Sequence, residues 1–529
     1  MSNAKSKSDS FILDLQLKVS PSQEKILLVR LDCARQLYNA VLSEALSRLK
    51  LMRESKAYQV ARMMPKIFVS SKPSENNKVK VKEINNPERA QTFKDLNKKF
   101  EFNEYSLHAF AAITKNACHI GDHLDINTCQ KIATRVWSAV QQFAFGKRGK
   151  PRFKGWNQFD SVEGKTNTQG IKWRENQVVW SGLKLPALFD PKDKYGVQAH
   201  GLDCPTKYVR IVRRKLAGQN RFYVQLVQEG RPKRKEKNKI GETVVGLDLG
   251  PSTIAAVSVD DAFLGAFCAQ LEPIQKEVRR IQRRLNRSRR AFNPEAFNSN
   301  GTIKKGVRLK KSNAYRQDKV RLEEVSRRLA AYRKALQGQM ANRVLTMGKF
   351  INLEKLSYRA WQRMFGKSVG FRAPGMFVSM LRRKAESAGG VVNEFPVRNR
   401  LSQTCHQCGT AEKKALSKRW HHCDCGIHAQ RDLYSAFLAM NVVGDDLDMR
   451  QAVQAWPGAE PLLCHAMSRC DQTMIGEVRF ASFGLNRSRN GLHGEEGSVQ
   501  DKAEDVVACL GASESFGESC STAFRTPGL

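Results

Sequence analysis

No run of about 18 apolar residues occurs in this chain of 529, and Met1 to Ser10 is polar without an apolar core. Neither a membrane-spanning helix nor a signal peptide is expected, so an intracellular protein is. No fixed-period repeat is visible, so a repeat array is not expected. A disulfide framework is also not expected, because the 13 cysteines are odd in number and mostly scattered. Acidic residues are scarce: 51 Asp and Glu stand against 90 Lys and Arg, a net charge of +39. That excess exceeds what solubility requires and suits a polyanion held along an extended surface, with nucleic acid the first candidate. Residues 444–529 carry a net −6, which leaves +45 on residues 1–443. The binder is therefore expected in the body of the chain and not in the tail.

The length calls for two to four domains. Phe11, Leu13, Leu15, Leu17 and Val19 alternate with Ile12, Asp14, Gln16 and Lys18, a strand period ending at Ser20-Pro21-Ser22. A wide apolar stripe from Ile26 to Leu49 then predicts a long helix, with Pro21 in its first turn. Residues 71–95 are polar and Lys/Asn-rich and predict a loop, and further helices are predicted at about 104–119 and 127–144. Gly146 to Lys154 brings glycine, proline and five cations, which places a boundary near 145. Short β-branched or aromatic runs follow at 178–180, 183–185, 208–212 and 222–227, the pattern of a small antiparallel barrel. Residues 271–343 predict long basic helices, and the Gly/Ser/Glu-rich stretch after about 476 predicts disorder.

Three carboxylates carry the chemistry. Asp248, within Val244-Val245-Gly246-Leu247-Asp248-Leu249-Gly250, and Glu354, after Phe350-Ile351-Asn352-Leu353, sit on short apolar runs that read as buried strands. Asp432 follows Arg431 at the start of a predicted helix. Alone, each is an ordinary turn, surface or capping residue. An unpaired carboxylate inside an apolar strand is costly, however, unless a cation compensates it. Convergent carboxylates of this kind could hold two magnesium ions about 4 Å apart, which clamp the attacking and leaving oxygens in phosphodiester cleavage.

Cys405-His406-Gln407-Cys408-Gly409 has the turn of a zinc knuckle, and Cys423-Asp424-Cys425-Gly426 supplies a second thiol pair one residue short of the usual spacing. Structural zinc held by Cys405, Cys408, Cys423 and Cys425 is the expected site, with His421 or His422 able to replace Cys423. For nucleic-acid contacts the candidates are Arg279, Arg280, Arg283, Arg284 and Arg287, which crowd one helical stretch. Lys150, Arg152 and Lys154, interleaved with Phe153 and Trp156, are the others. A barrel-edge core would explain those two aromatics nearly as well. Arg359, Trp361, Arg363, Phe365 and Arg372 could wall a substrate groove or form a packed loop.

Gly246-Leu247-Asp248-Leu249-Gly250, Leu353-Glu354-Lys355-Leu356, Ser402-Gln403-Thr404-Cys405-His406-Gln407-Cys408-Gly409 and Cys425-Gly426 leading to Arg431-Asp432 resemble TnpB. These are transposon-encoded RNA-guided nucleases related to compact type V CRISPR effectors. Leu37-Tyr38-Asn39 and Pro151-Arg152-Phe153-Lys154 are similar too, so the resemblance spans roughly residues 11–443. It implies a multidomain α+β fold: a RuvC/RNase H-like nuclease domain with a zinc-binding insertion, preceded by a β-barrel wedge domain interrupted by a helical recognition domain. Mapped here, the wedge covers 1–20 and 145–240, the recognition domain 21–144, the nuclease 241–403 and 428–445, the zinc insertion 404–427 and a C-terminal extension 446–529.

The implied activity is magnesium-dependent DNA endonuclease action, guided by an RNA partner to a target DNA beside a short motif, in the cytoplasm of a prokaryotic cell. One or two copies per RNA are both compatible. A compact CRISPR effector, or a nuclease-inactive RNA-guided repressor or transposition accessory, is the alternative. The helix motif departs from the family's Asp-x-Asn-Ala-Ala, reading Asp432-Leu433-Tyr434-Ser435-Ala436, and Gln430 stands where an aspartate is common.

Overall fold

The computed structural model describes residues 9–72, 80–415 and 418–473. The chain divides into two compact units, Met1–Lys235 and Glu236–Leu529, and its fold is mixed α/β.

In the first unit the alternating N-terminal run forms the strand Ser10–Leu17, inside a seven-stranded antiparallel sheet. From one edge the strands run Ser161–Glu163, Thr206–Leu216, Gln219–Glu229, Ser10–Leu17, Leu183–Leu188, Gln177–Trp180 and Lys172–Arg174. The sheet curls, bringing Lys172–Arg174 against Thr206–Leu216. Between Leu17 and the rest of the sheet the chain makes a helical excursion. Its first helix, Pro21–Glu54, opens with a capping box: Ser20 Oγ accepts from the Gln23 amide and Gln23 Oε1 accepts from the Ser20 amide at 3.0 Å. Trp180, fully buried, ties sheet to helices by donating Nε1–H to Asp125 at 3.0 Å, the residue that caps Ile126–Ala144. Arg30 lies over the same indole and donates to the carbonyls of Trp180 and Ser181.

One element differs from expectation. Residues 71–95, expected as a loop, include the strand Lys80–Asn85, paired with Ile67–Lys72, and the helix Pro87–Lys99. Polar composition hid the helix, but its start is encoded: the Asn86 side chain accepts from the Arg89 amide at 3.0 Å and Pro87 occupies the first turn.

The second unit is built on a five-stranded sheet in the order Ala262–Ala266, Thr253–Val257, Thr243–Leu249, Gly348–Glu354, Val391–Phe395. The first three strands are antiparallel and the last two join in parallel. Strand alternation sends Val245, Leu247, Leu249 and Ile254 to one face, under the helices Glu272–Ala291, Asn313–Met347 and Pro374–Ser387. Ala255, Val257, Ala262 and Leu264 face the other way, under Arg431–Met440 and Met449–Thr473.

The latter helix belongs to the C-terminal extension and buries Ala452, Trp456, Ala459, Leu463 and Met467. The disorder expected after about 476 lies outside the described residues. Among the described residues no helix is long and apolar enough to cross a membrane.

Candidate functional site

Asp248 alternates with Leu247 and Leu249, so the apolar demand of one sheet face turns its carboxylate to the other, toward the helix Arg431–Met440. Glu354 arrives there by the same rule. Its strand runs parallel to that of Asp248 with Leu247 opposite Leu353, so Asp248 and Glu354 each stand one position past that pair. Asp432, 6% exposed, enters from the helix, whose start is capped by Gln430 Oε1 accepting from the Leu433 amide at 2.8 Å.

The helix can approach because Gly246 lies beneath it. A β-carbon there would overlap the Ala436 carbonyl and the Met440 amide, with the Ala439 carbonyl carbon at 2.9 Å.

Asp248 senses both of the other carboxylates. Burial pushes the Asp248 carboxyl well above its ordinary range, and the negative charges of Asp432 and Glu354 push it further. Burial also raises Glu354 and Asp432. Two cations to which the sequence assigned no role, Arg419 and Arg431, partly offset this, each with a guanidinium nitrogen 3.9 Å from Asp432 Oδ1. Arg431 is itself buried and donates to the carbonyls of Ala415 and Lys418 at 3.1 and 2.8 Å, which pins the preceding loop. The Arg431-Asp432 dipeptide was a visible signal for it. Arg419 had none.

Asp432 Oδ2 is buried without a hydrogen-bond partner. A buried acceptor left so, beside two further carboxylates of raised pKa, suits a cation bound among Asp248, Glu354 and Asp432. A second cluster, of thiols, belongs to the same unit.

That cluster is Cys405, Cys408, Cys423 and Cys425, whose sulfurs all lie within 4.8 Å of one another. Cys405 to Cys425 and Cys408 to Cys423 are each 3.4 Å, near the edge of about 3.8 Å that a tetrahedron of ~2.3 Å zinc–sulfur bonds would have. Gly409 and Gly426 hold φ of 73° and 94°, which closes both turns. The shortened second pair thus still completes a set that could hold zinc. His421 is engaged elsewhere: its Nδ1 lies 2.7 Å from Lys414 Nζ and its ring stacks on Tyr434. His422 stacks on His428.

Tyr434, the departure from the family motif, is fully buried between knuckle and helices. Its hydroxyl accepts from the His406 amide at 3.0 Å and lies 2.7 Å from His406 Nδ1, and Trp456 of the C-terminal extension packs against both rings.

Arg279, Arg280, Arg283, Arg284 and Arg287 all lie on exposed positions of Glu272–Ala291, whose Val278, Ile281 and Leu285 face the core. Arg284 pairs with Asp318. Lys150 and Arg152 are exposed and Lys154 partly so, on a loop whose Phe153 and Trp156 point outward, at 55% and 76% exposure. That removes the core explanation of these aromatics. Arg372, considered for a groove wall, is instead buried in the helix Tyr358–Arg372, donating to the Phe267 carbonyl at 2.8 Å.

Residues 375–438 match the family model of the Cas12f1-like TNB domain. The chain is also similar to a Cas12f1–sgRNA–target DNA complex at 13% identity, covering 82% of this chain and 99% of that one with a TM-score of 0.41. A CRISPR-Cas12f ternary complex matches at 11% identity over 80% and 98%, with a TM-score of 0.24. The mini RNA-guided endonuclease CRISPR-Cas phi3 matches at 14% over 53% and 57%, with a TM-score of 0.27. No curated protein matches the chain. The thiol cluster and Asp432 lie on the matched segment, which supports the resemblance to the TnpB/Cas12f-like family read from the sequence.

Proposed function

We propose that this protein is an RNA-guided DNA endonuclease with a RuvC-like centre, in which Asp248, Glu354 and Asp432 hold catalytic magnesium. The convergence of these carboxylates from two parallel strands and one helix carries the reading, and the orphaned Asp432 Oδ2 supports it. Bound magnesium would supply Lewis acidity and an activated water for in-line attack on phosphorus. The chain's own part is to fix the three carboxylates on rigid elements and to offset the charge of Asp248 and Asp432 with Arg419 and Arg431. Guide RNA and target DNA are the proposed partners, with base pairing reading sequence and the exposed arginines of Glu272–Ala291 holding phosphates.

The test is to purify the protein with RNA from its own locus and incubate it with magnesium and a plasmid library of randomised flanks. Guide-matched cutting beside one motif is expected, lost in Asp248→Ala, Glu354→Ala and Asp432→Ala while binding persists. Motif-dependent binding without cutting by the unaltered protein would leave an RNA-guided binder, and absence of a specific RNA would remove the reading. The Cas12f1-like match favours, as a second reading, a CRISPR effector over a transposon nuclease. A repeat array beside the gene, instead of transposon ends, would establish it.

A further inference from the structure

In the first unit lies a cavity of about 360 Å³ between the first helix and the loop that precedes Phe159. Its volume falls within the range of small-ligand sites. Leu28, Val29 and Leu31 give it apolar walls, and Asp32, Arg35 and Gln36 line it from the same helix. Across from them stands Trp156, the most exposed tryptophan among the described residues.

This indole is not loosely presented. Asn39 clamps the loop two residues before it, donating Nδ2–H to the Lys154 carbonyl at 2.9 Å and accepting the Lys154 amide on Oδ1 at 2.8 Å. Phe159, three residues after it, is buried against Tyr38. The Arg35 guanidinium sits 5.7 Å from the Trp156 ring centroid, and is itself held by Asp32 at 2.7 Å, to which Gln36 also donates at 2.9 Å. An aromatic face and a guanidinium plane are thus fixed at one mouth, amide side chains of Gln36 and Asn157 line the wall, and Lys150 and Arg152 stand exposed a few residues before Trp156 in the chain.

Flat face, polar edge and adjoining cations fit one ligand chemistry: a heteroaromatic base attached to a phosphodiester. We propose that this cavity receives an unstacked nucleobase, stacked on Trp156, while Lys150 and Arg152 hold the neighbouring phosphates. The proposal deepens the nucleic-acid reading above and rests on it. The base can belong to RNA or to DNA, and the chemistry is the same.

The experiment measures binding of the full-length protein to labelled single-stranded RNA, single-stranded DNA, duplex DNA of one mixed sequence, and abasic versions of the single strands, at two salt concentrations. Trp156→Ala is expected to weaken binding to one or more base-bearing strands by roughly five- to a hundredfold, the range for loss of one base–aromatic stack. Because every phosphate-binding cation is kept, the salt slope stays unchanged. Trp156→Phe restores most of the affinity, and the abasic strands do not distinguish the variants. Loss on RNA alone assigns the base to an RNA partner, and loss on DNA alone to the target. If the unaltered protein binds but Trp156→Ala binds every strand equally well, or loses as much on abasic strands, the cavity is not a base site and the nuclease reading stands. If the unaltered protein binds no strand, both fall. An unchanged melting temperature of Trp156→Ala, expected for so exposed a side chain, separates these outcomes from misfolding.

Discussion

Asp248, Glu354 and Asp432 are costly residues. Each carboxyl holds its proton more tightly in the folded chain than in the unfolded one. Their contribution to stability therefore falls as pH rises from the ordinary carboxylate range through the raised folded values, and it recovers on acidification. Without divalent cations, lowering the pH from neutral into the ordinary carboxylate range should stabilise the unaltered protein more than Asp248→Asn. At neutral pH that variant should melt higher, by about 2–4 °C for each kcal/mol of repulsion relieved. Magnesium at about a hundred times its dissociation constant should stabilise the unaltered protein by roughly 2.7 kcal/mol and Asp248→Asn far less. Calorimetry with and without magnesium reads both effects, and identical behaviour of the two proteins would remove Asp248 from the metal site. The acids themselves were legible in the sequence, because a carboxylate inside an apolar strand is conspicuous. Arg419 was not, since nothing local distinguishes a loop arginine that folding brings beside Asp432.

Between elements, the seat of the helix Arg431–Met440 on the strand Thr243–Leu249 decides where Asp432 stands. Gly246→Ala places a methyl where the Ala436 carbonyl already is, so the helix must shift. A loss of about 1–3 kcal/mol or more is expected, with cleavage falling further than guide-RNA binding. Thermal melting and a cleavage assay check this together. Across the knuckle, Trp456→Ala removes the side chain packed on His406, Tyr434 and Phe437 and should cost about 3–5 kcal/mol. Metal analysis should find about one zinc per chain, absent from Cys408→Ser and after treatment with a strong chelator, with a lowered melting temperature. Full stability of metal-free protein would overturn a structural role for zinc. Tyr434 looked like a lapse in a motif. Packed under the knuckle it is a core residue, and the extension helix that supplies Trp456 is part of the fold of its unit.

At the scale of the whole molecule, a net charge of +39 outweighs any single ion pair in setting nucleic-acid affinity. Binding should fall steeply with salt, because each neutralised phosphate releases counterions. Replacing Arg280, Arg283 and Arg287 by alanine should reduce the logarithmic salt slope by about 0.7–0.9 for each phosphate that is no longer neutralised, and weaken binding alike across sequences. Titrations at several salt concentrations test this, and an unchanged slope would mark that helix face as merely solvated.

Local signals were enough for many of the elements and for the thiol cluster. Strand alternation foretold Ser10–Leu17, a short apolar run foretold Thr243–Leu249, a helical stripe foretold Pro21–Glu54, and thiol spacing announced the cysteine cluster, because each depends on residues a few positions apart. The hairpin strand and helix between residues 80 and 99 escaped, since their polar composition masks the period even though Asn86 and Pro87 encode the helix start. Tertiary structure alone decided which four ligand atoms gather, that Arg419 and Arg431 face Asp432, that Arg372 turns inward, and that Trp156 stands exposed over a cavity. These depend on chain segments tens to hundreds of residues apart, whose meeting is set by strand pairing and by how closely a helix can approach a glycine, and no short window of sequence carries that information.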